Sequence, residues 1–115
     1  MKFVMNGCLI IGTMDGANVE IAEEISKDNM FIFGMDVAGV AQARHEMYEQ
    51  GRRDYVGSRL QRVYETIKSG NFGGNTQSFI NLVDNLINGN DFYLVSQDFY
   101  SYVEAQERVD TTYRD

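Results

Sequence analysis

A single cysteine, Cys8, leaves this chain without an internal disulfide, and with one histidine, His45, it has no Cys/His zinc set. One thiol in 115 residues fits a reduced, cytoplasmic compartment. Basic residues are scarce: 10 Lys and Arg stand against 17 Asp and Glu, a formal net charge of -7. Nucleic acid and anionic membranes are bound through clustered cations, so neither is expected as a partner. No apolar run is long enough to cross a bilayer, and the first residues lack the basic-then-apolar pattern of an export signal. Proline is missing altogether, where an average chain of this length holds about six. No functional reading attaches to that absence.

What remains is ordinary for a globular protein: 43% hydrophobic, 23% charged and 12% aromatic. A length of 115 residues is one domain or a piece of one. Folded, such a chain can hide roughly two-thirds of the surface its unfolded form exposes.

The first third alternates between strand and helix patterns. Cys8-Leu9-Ile10-Ile11 is a short continuous apolar run, the mark of a parallel strand buried on both faces, with Cys8 as an inert core thiol. It ends at Gly12-Thr13-Met14-Asp15-Gly16, a turn. From Ala17 to Ile25 the spacing predicts a helix, with Ile21, Ala22 and Ile25 on one face and Glu20, Glu23 and Glu24 on the other. After a break at Ser26–Asn29, Met30-Phe31-Ile32-Phe33 reads as a second parallel strand closed by Gly34. Two such strands joined through a helix make a βαβ unit.

The second half reads as largely helical. Asp36 can cap a helix running to Glu49, and Gly51-Arg52-Arg53-Asp54 interrupts the pattern. Ser58 opens a helix with Leu60, Val63, Tyr64 and Ile67 at i, i+3, i+4 and i+7, ending near Gly70. A loop from Asn71 to Thr76 precedes a helix carrying Phe79, Ile80, Leu82, Val83, Leu86 and Ile87. Phe92-Tyr93-Leu94-Val95 reads as a short strand or extended segment, and Asp98 precedes a last helix with Phe99, Tyr102, Val103 and Val109.

Few of these residues point to chemistry on their own. The Gly12–Gly16 turn leads into a helix N-terminus, a possible phosphate site, although it follows neither the dinucleotide nor the P-loop pattern. Asp15, Glu20, Glu23 and Glu24 are better read as a turn residue and a solvated face than as an acid–base pair. His45 sits among Arg44, Glu46 and Tyr48 on a polar helix, a surface position. Lys2 is invisible to composition and spacing.

Met1-Lys2-Phe3-Val4-Met5-Asn6-Gly7, followed by Ile10-Ile11-Gly12-Thr13-Met14-Asp15-Gly16-Ala17-Asn18-Val19-Glu20, closely resembles the glycogen (α-glucan) phosphorylases. The likeness continues through Ala22-Glu23-Glu24 and Phe31-Ile32-Phe33-Gly34, and returns at Tyr93–Val95 and Gln106-Glu107-Arg108-Val109. By this resemblance, residues 1–115 are a fragment of the carboxy-terminal catalytic domain, a partial α/β Rossmann-like domain of GT-B type. The fold class implied is short parallel strands with a largely helical second half.

The resemblance implies that Lys2 holds pyridoxal 5′-phosphate as a Schiff base, and that the cofactor's phosphate takes part in proton transfer. It implies phosphorolysis of terminal α-1,4-glucosyl units of glycogen or starch by inorganic phosphate, giving glucose 1-phosphate, in a homodimeric parent enzyme. No task for Asp15 or Glu20 follows from it. The first half of the cofactor signature and the cations that hold substrate phosphate lie upstream in the family, so the chain by itself is expected to be inactive. Where many relatives carry Ser-Pro after the equivalent of Asn71-Phe72, this chain has Gly73-Gly74. The alternative reading is a free-standing α/β module that binds phosphate at the Gly12–Gly16 turn or serves as an interaction surface.

Overall fold

In the computed structural model, which describes residues 1–50, 56–91 and 93–115, the chain divides into two compact units. One comprises Met1–Gln42 with Asp98–Asp115, the other Ala43–Gln97. The break expected at Gly51-Arg52-Arg53-Asp54 lies outside the described residues, as does Phe92.

The first unit is built on a βαβ element. A 3-10 turn at Val4–Asn6 leads to β1 (Ile11–Gly12), α1 (Ala17–Ile25), a second 3-10 turn at Lys27–Asn29 and β2 (Phe31–Ile32). The strands pair in parallel, with Ile11 opposite Phe31 and Gly12 opposite Ile32, as the two apolar runs predict. The Phe31 N–H donates to the Ile10 carbonyl at 2.9 Å and the Phe33 N–H to the Gly12 carbonyl at 3.2 Å.

Both strands are shorter than their apolar runs, and for the same reason. The Cys8 N–H closes the preceding turn on the Phe3 carbonyl, so the ladder starts only beyond it. The Met30 N–H is likewise taken by the Lys27 carbonyl. Cys8 is therefore exposed, not the core thiol its run suggested, and Leu9 is 46% exposed. Helix α1 has the bounds its periodicity predicts, with Ala22 buried and Glu20, Glu23 and Glu24 turned to solvent.

The last helix, α5 (Val95–Arg114), begins three residues before Asp98. Within the first unit it lays one face against the end of β2. The Met35 N–H donates to Asp98 Oδ1 at 3.1 Å, the Gly34 N–H to Ser101 Oγ at 2.9 Å, and Arg108 Nη2 to the Ile32 carbonyl at 3.0 Å. Phe33 and Tyr102 meet edge to face at 5.3 Å, and Ala105 is fully buried. Helix α2 (Val37–Gln50) starts beside this contact, and Asp36 caps it as expected by accepting the Gly39 N–H at 2.7 Å.

In the second unit, α3 (Ser58–Lys68) packs on α4 (Thr76–Asn85), which continues as a π-helical turn at Leu86–Asn90. Leu60, Tyr64, Val83 and Leu94 form the buried cluster. Val63, Leu82 and Ile87, placed on apolar stripes by their spacing, are exposed to 40%, 59% and 38%. The Tyr64 hydroxyl and Ser96 Oγ pair at 2.8 Å inside the unit. The loop before α4 ends at Asn75, whose side chain accepts the Ser78 N–H at 3.3 Å, a side-chain cap.

Tyr93–Val95 is no strand. Leu94 has φ 56°, in the left-handed region, and Val95 already opens α5. Asp91 explains the change. Its two carboxylate oxygens accept the N–H groups of Val95 and Ser96, each at 2.9 Å, and these would otherwise be orphaned at the helix start.

Candidate functional site

Lys2 lies in the turn that opens the first unit, and its side chain is exposed. The backbone around it is ordered by its own hydrogen bonds. Met5 N–H donates to the Met1 carbonyl at 3.1 Å, Asn6 N–H to that of Phe3 at 3.0 Å, and Gly7 N–H to that of Val4 at 3.1 Å. The Lys2 carbonyl takes a side-chain donor, Asn6 Nδ2, at 2.7 Å. A primary amine open to solvent on a fixed turn fits a carbonyl-bearing cofactor, so Lys2 satisfies the attachment that such a group needs. The Lys2 amine forms no ion pair among the described residues.

The turn after β1 is held together by three local bonds. Thr13 Oγ1 donates to Asp15 Oδ1 at 3.0 Å, Asp15 N–H to the Thr13 carbonyl at 3.0 Å, and Asn18 Nδ2 to the same carbonyl at 2.9 Å. Asn18 packs so closely over Gly12 that a Cβ there would meet its Nδ2 at 2.5 Å. Helix α1 follows without a side-chain cap, and Glu20 occupies its first turn. A carboxylate in the turn and another in the first helical turn already answer the positive end of the helix, and both repel a phosphate. The phosphate reading of Gly12–Gly16 gains nothing from this geometry.

The other sequence candidates stay apart. His45 is on the surface of α2, its Nε2 3.2 Å from Glu49 Oε1 with 70% of the side chain exposed. Among the described residues no group of three His, Cys, Asp or Glu could hold a metal ion, and no helix is long and apolar enough to cross a membrane.

Two features escaped the sequence. An open groove of about 610 Å³ in the first unit is lined by Phe31, Glu104, Glu107, Arg108, Thr111 and Thr112. Its one cation, Arg108, is engaged with the Ile32 carbonyl. The side-chain bond from Asn6 to Lys2 also went unseen, although its i, i+4 spacing could have pointed to it.

The family model for carbohydrate phosphorylases matches residues 1–115. The alpha-1,4 glucan phosphorylase L isozyme (chloroplastic/amyloplastic) of Ipomoea batatas is 46% identical over 121 aligned residues, covering 100% of this chain and 12% of that protein. An alpha-glucan phosphorylase H isozyme of Solanum tuberosum is 46% identical over 123 residues, covering 100% of this chain and 14% of the relative. The glycogen phosphorylase of Synechocystis sp. is 43% identical over 116 residues, again 100% of this chain and 14% of the relative. The chain thus spans between 12% and 14% of the length of these curated relatives. With a match that runs from Met1 to Asp115 and includes the Lys2 turn, this chain belongs to the carbohydrate phosphorylase family.

Proposed function

We propose that this sequence is the lysine-bearing part of an α-glucan phosphorylase, an enzyme that transfers terminal α-1,4-glucosyl units of glycogen or starch to inorganic phosphate and releases glucose 1-phosphate. The observation that carries this reading is the family match over the whole chain, with Met1-Lys2 followed by Met5-Asn6 at its head. The βαβ element of the first unit is read as part of a Rossmann-like domain of GT-B type in the catalytic half of a homodimeric enzyme.

In this reading Lys2 holds pyridoxal 5′-phosphate through Nζ. When bound, the cofactor supplies proton transfer through its phosphate. The chain's own part is to present the amine. The turn from Met1 to Cys8 fixes the main chain on either side of Lys2, and β1 anchors that turn to the parallel pair.

Borohydride reduction of the complete native protein, followed by peptide mapping, tests the assignment. A pyridoxyl mark on the Lys2 peptide is the expected result, and a mark on another lysine would overturn it. Lys2→Ala in the complete enzyme is expected to lower glucose 1-phosphate formation by about 10²–10⁴-fold, the range for loss of a proton-transfer group. The cytoplasmic placement rests on the single cysteine, and several relatives carry plastid names. Fractionation of source cells separates the two compartments.

A further inference from the structure

We propose that Asn6 is a positioning residue for Lys2, a role that rests on the cofactor reading of Lys2 given above. The turn's backbone donors explain why a side chain is needed. The Met5 N–H reaches back to Met1, and the Asn6 N–H is held by Phe3. Phe3 also accepts the Cys8 N–H at 3.1 Å, and Val4 accepts the Gly7 N–H. The Lys2 carbonyl is passed over by this pattern, and Asn6 Nδ2 supplies its donor at 2.7 Å.

That bond fixes the peptide plane on the carboxyl side of Lys2. The orientation of this plane is the main-chain rotation that sets where the Cα–Cβ bond of Lys2 aims. Gly7 closes the turn on its far side. Its φ of 82° turns the chain back so that the Cys8 N–H reaches the Phe3 carbonyl already bonded to the Asn6 N–H, and an L side chain adopts that conformation with strain. A lysine on a floppy segment would sample many directions, whereas one on a pinned plane is pre-organised for its partner. Asn6 touches neither cofactor nor substrate in this scheme. It acts through the Lys2 main chain.

Asn6→Asp is the informative change, because it keeps the shape and replaces the N–H donor with an oxygen that repels the Lys2 carbonyl. In the complete holoenzyme, cofactor release is followed by loss of its absorbance in a fixed concentration of hydroxylamine. Release from N6D is expected to be about tenfold faster than from wild type, the effect of losing one hydrogen bond of ordinary strength. Asn6→Gln, which retains an amide donor, is expected to recover part of that difference. The melting temperature of the cofactor-free protein is expected to be the same for N6D and wild type.

Equal release rates for N6D and wild type, with the borohydride mark on Lys2, would overturn the positioning role and leave the cofactor reading standing. An equal fall in the melting temperature of cofactor-free and loaded N6D would reassign Asn6 to folding alone and overturn the proposal as well. A borohydride mark on a different lysine would remove both.

Discussion

Gly34 and Asp98 show how much can depend on one missing side chain. Gly34 has φ 70°, and a Cβ on it would come within 2.5 Å of the Asp98 carboxyl carbon. An alanine there adds about 1–2 kcal/mol of left-handed backbone strain. It also pushes the carboxylate off the Met35 N–H, a part-buried donor, and leaving that donor without its acceptor costs about 1–3 kcal/mol more. Gly34→Ala is therefore expected to lower the local opening free energy by about 2–5 kcal/mol, read as lost hydrogen-exchange protection at the Met35 amide. Asp98→Ala removes the acceptor alone, and the same measurement should register about 1–3 kcal/mol. Unchanged protection at Met35 in both variants would show that the contact holds nothing. None of this was legible in the sequence, which offered Asp98 as a helix start and Gly34 as a strand end. The two meet across more than sixty residues, and no local pattern reports such a pairing.

At the scale of elements, the legible parts were those whose hydrogen bonds are local. Helix α1 and the start of α3 follow from periodicity, and Asp36 caps α2 as its residue type suggests. The parallel pairing of β1 with β2 was also readable, because two apolar runs flanking a helix leave few alternatives. Their lengths were not, since neighbouring turns compete for the same N–H groups. The start of α5 was misread for a related reason. An apolar run rich in β-branched and aromatic residues looks like a strand until a carboxylate nearby takes the first helical donors. Asp91→Ala is expected to destabilise that first turn by about 0.5–2 kcal/mol, the range for losing a helix cap. Exchange at the Val95 and Ser96 amides measures it, and wild-type protection there would mean that another acceptor does the capping. Lys2 is proposed from resemblance alone, because an exposed lysine in a turn carries no periodic or compositional signal.

At the scale of the whole molecule, apolar surface stands open. Phe3 and Met5, within the Lys2 turn, are 78% and 82% exposed. Exposed hydrophobic area of this kind marks surfaces that other protein normally covers. The 115-residue polypeptide purified by itself is therefore expected to bind an apolar-surface dye and to form no glucose 1-phosphate from glucan and phosphate. Phosphorolysis by that polypeptide would refute the expectation. In source cells, peptides of this sequence are expected from a protein much larger than 13.1 kDa, and a native species near that mass would withdraw the enzyme assignment.

The clamp on Gly34 and Met35 also sets an order of events during synthesis. Asp98 and Ser101 follow their partners by 63 and 67 residues. At the usual pace of translation, that separation is roughly 3–13 seconds. Through that interval the βαβ element has left the peptidyl-transferase centre without the helix that closes it, and its two clamp amides are hydrated. Ala43–Gln97, contiguous in sequence, is synthesised within that interval and needs no later residue for its own contacts. The βαβ element is thus made before the second unit and closed only after that unit has been synthesised, and a chain cut just before Asp98 would lack both side-chain acceptors of the clamp.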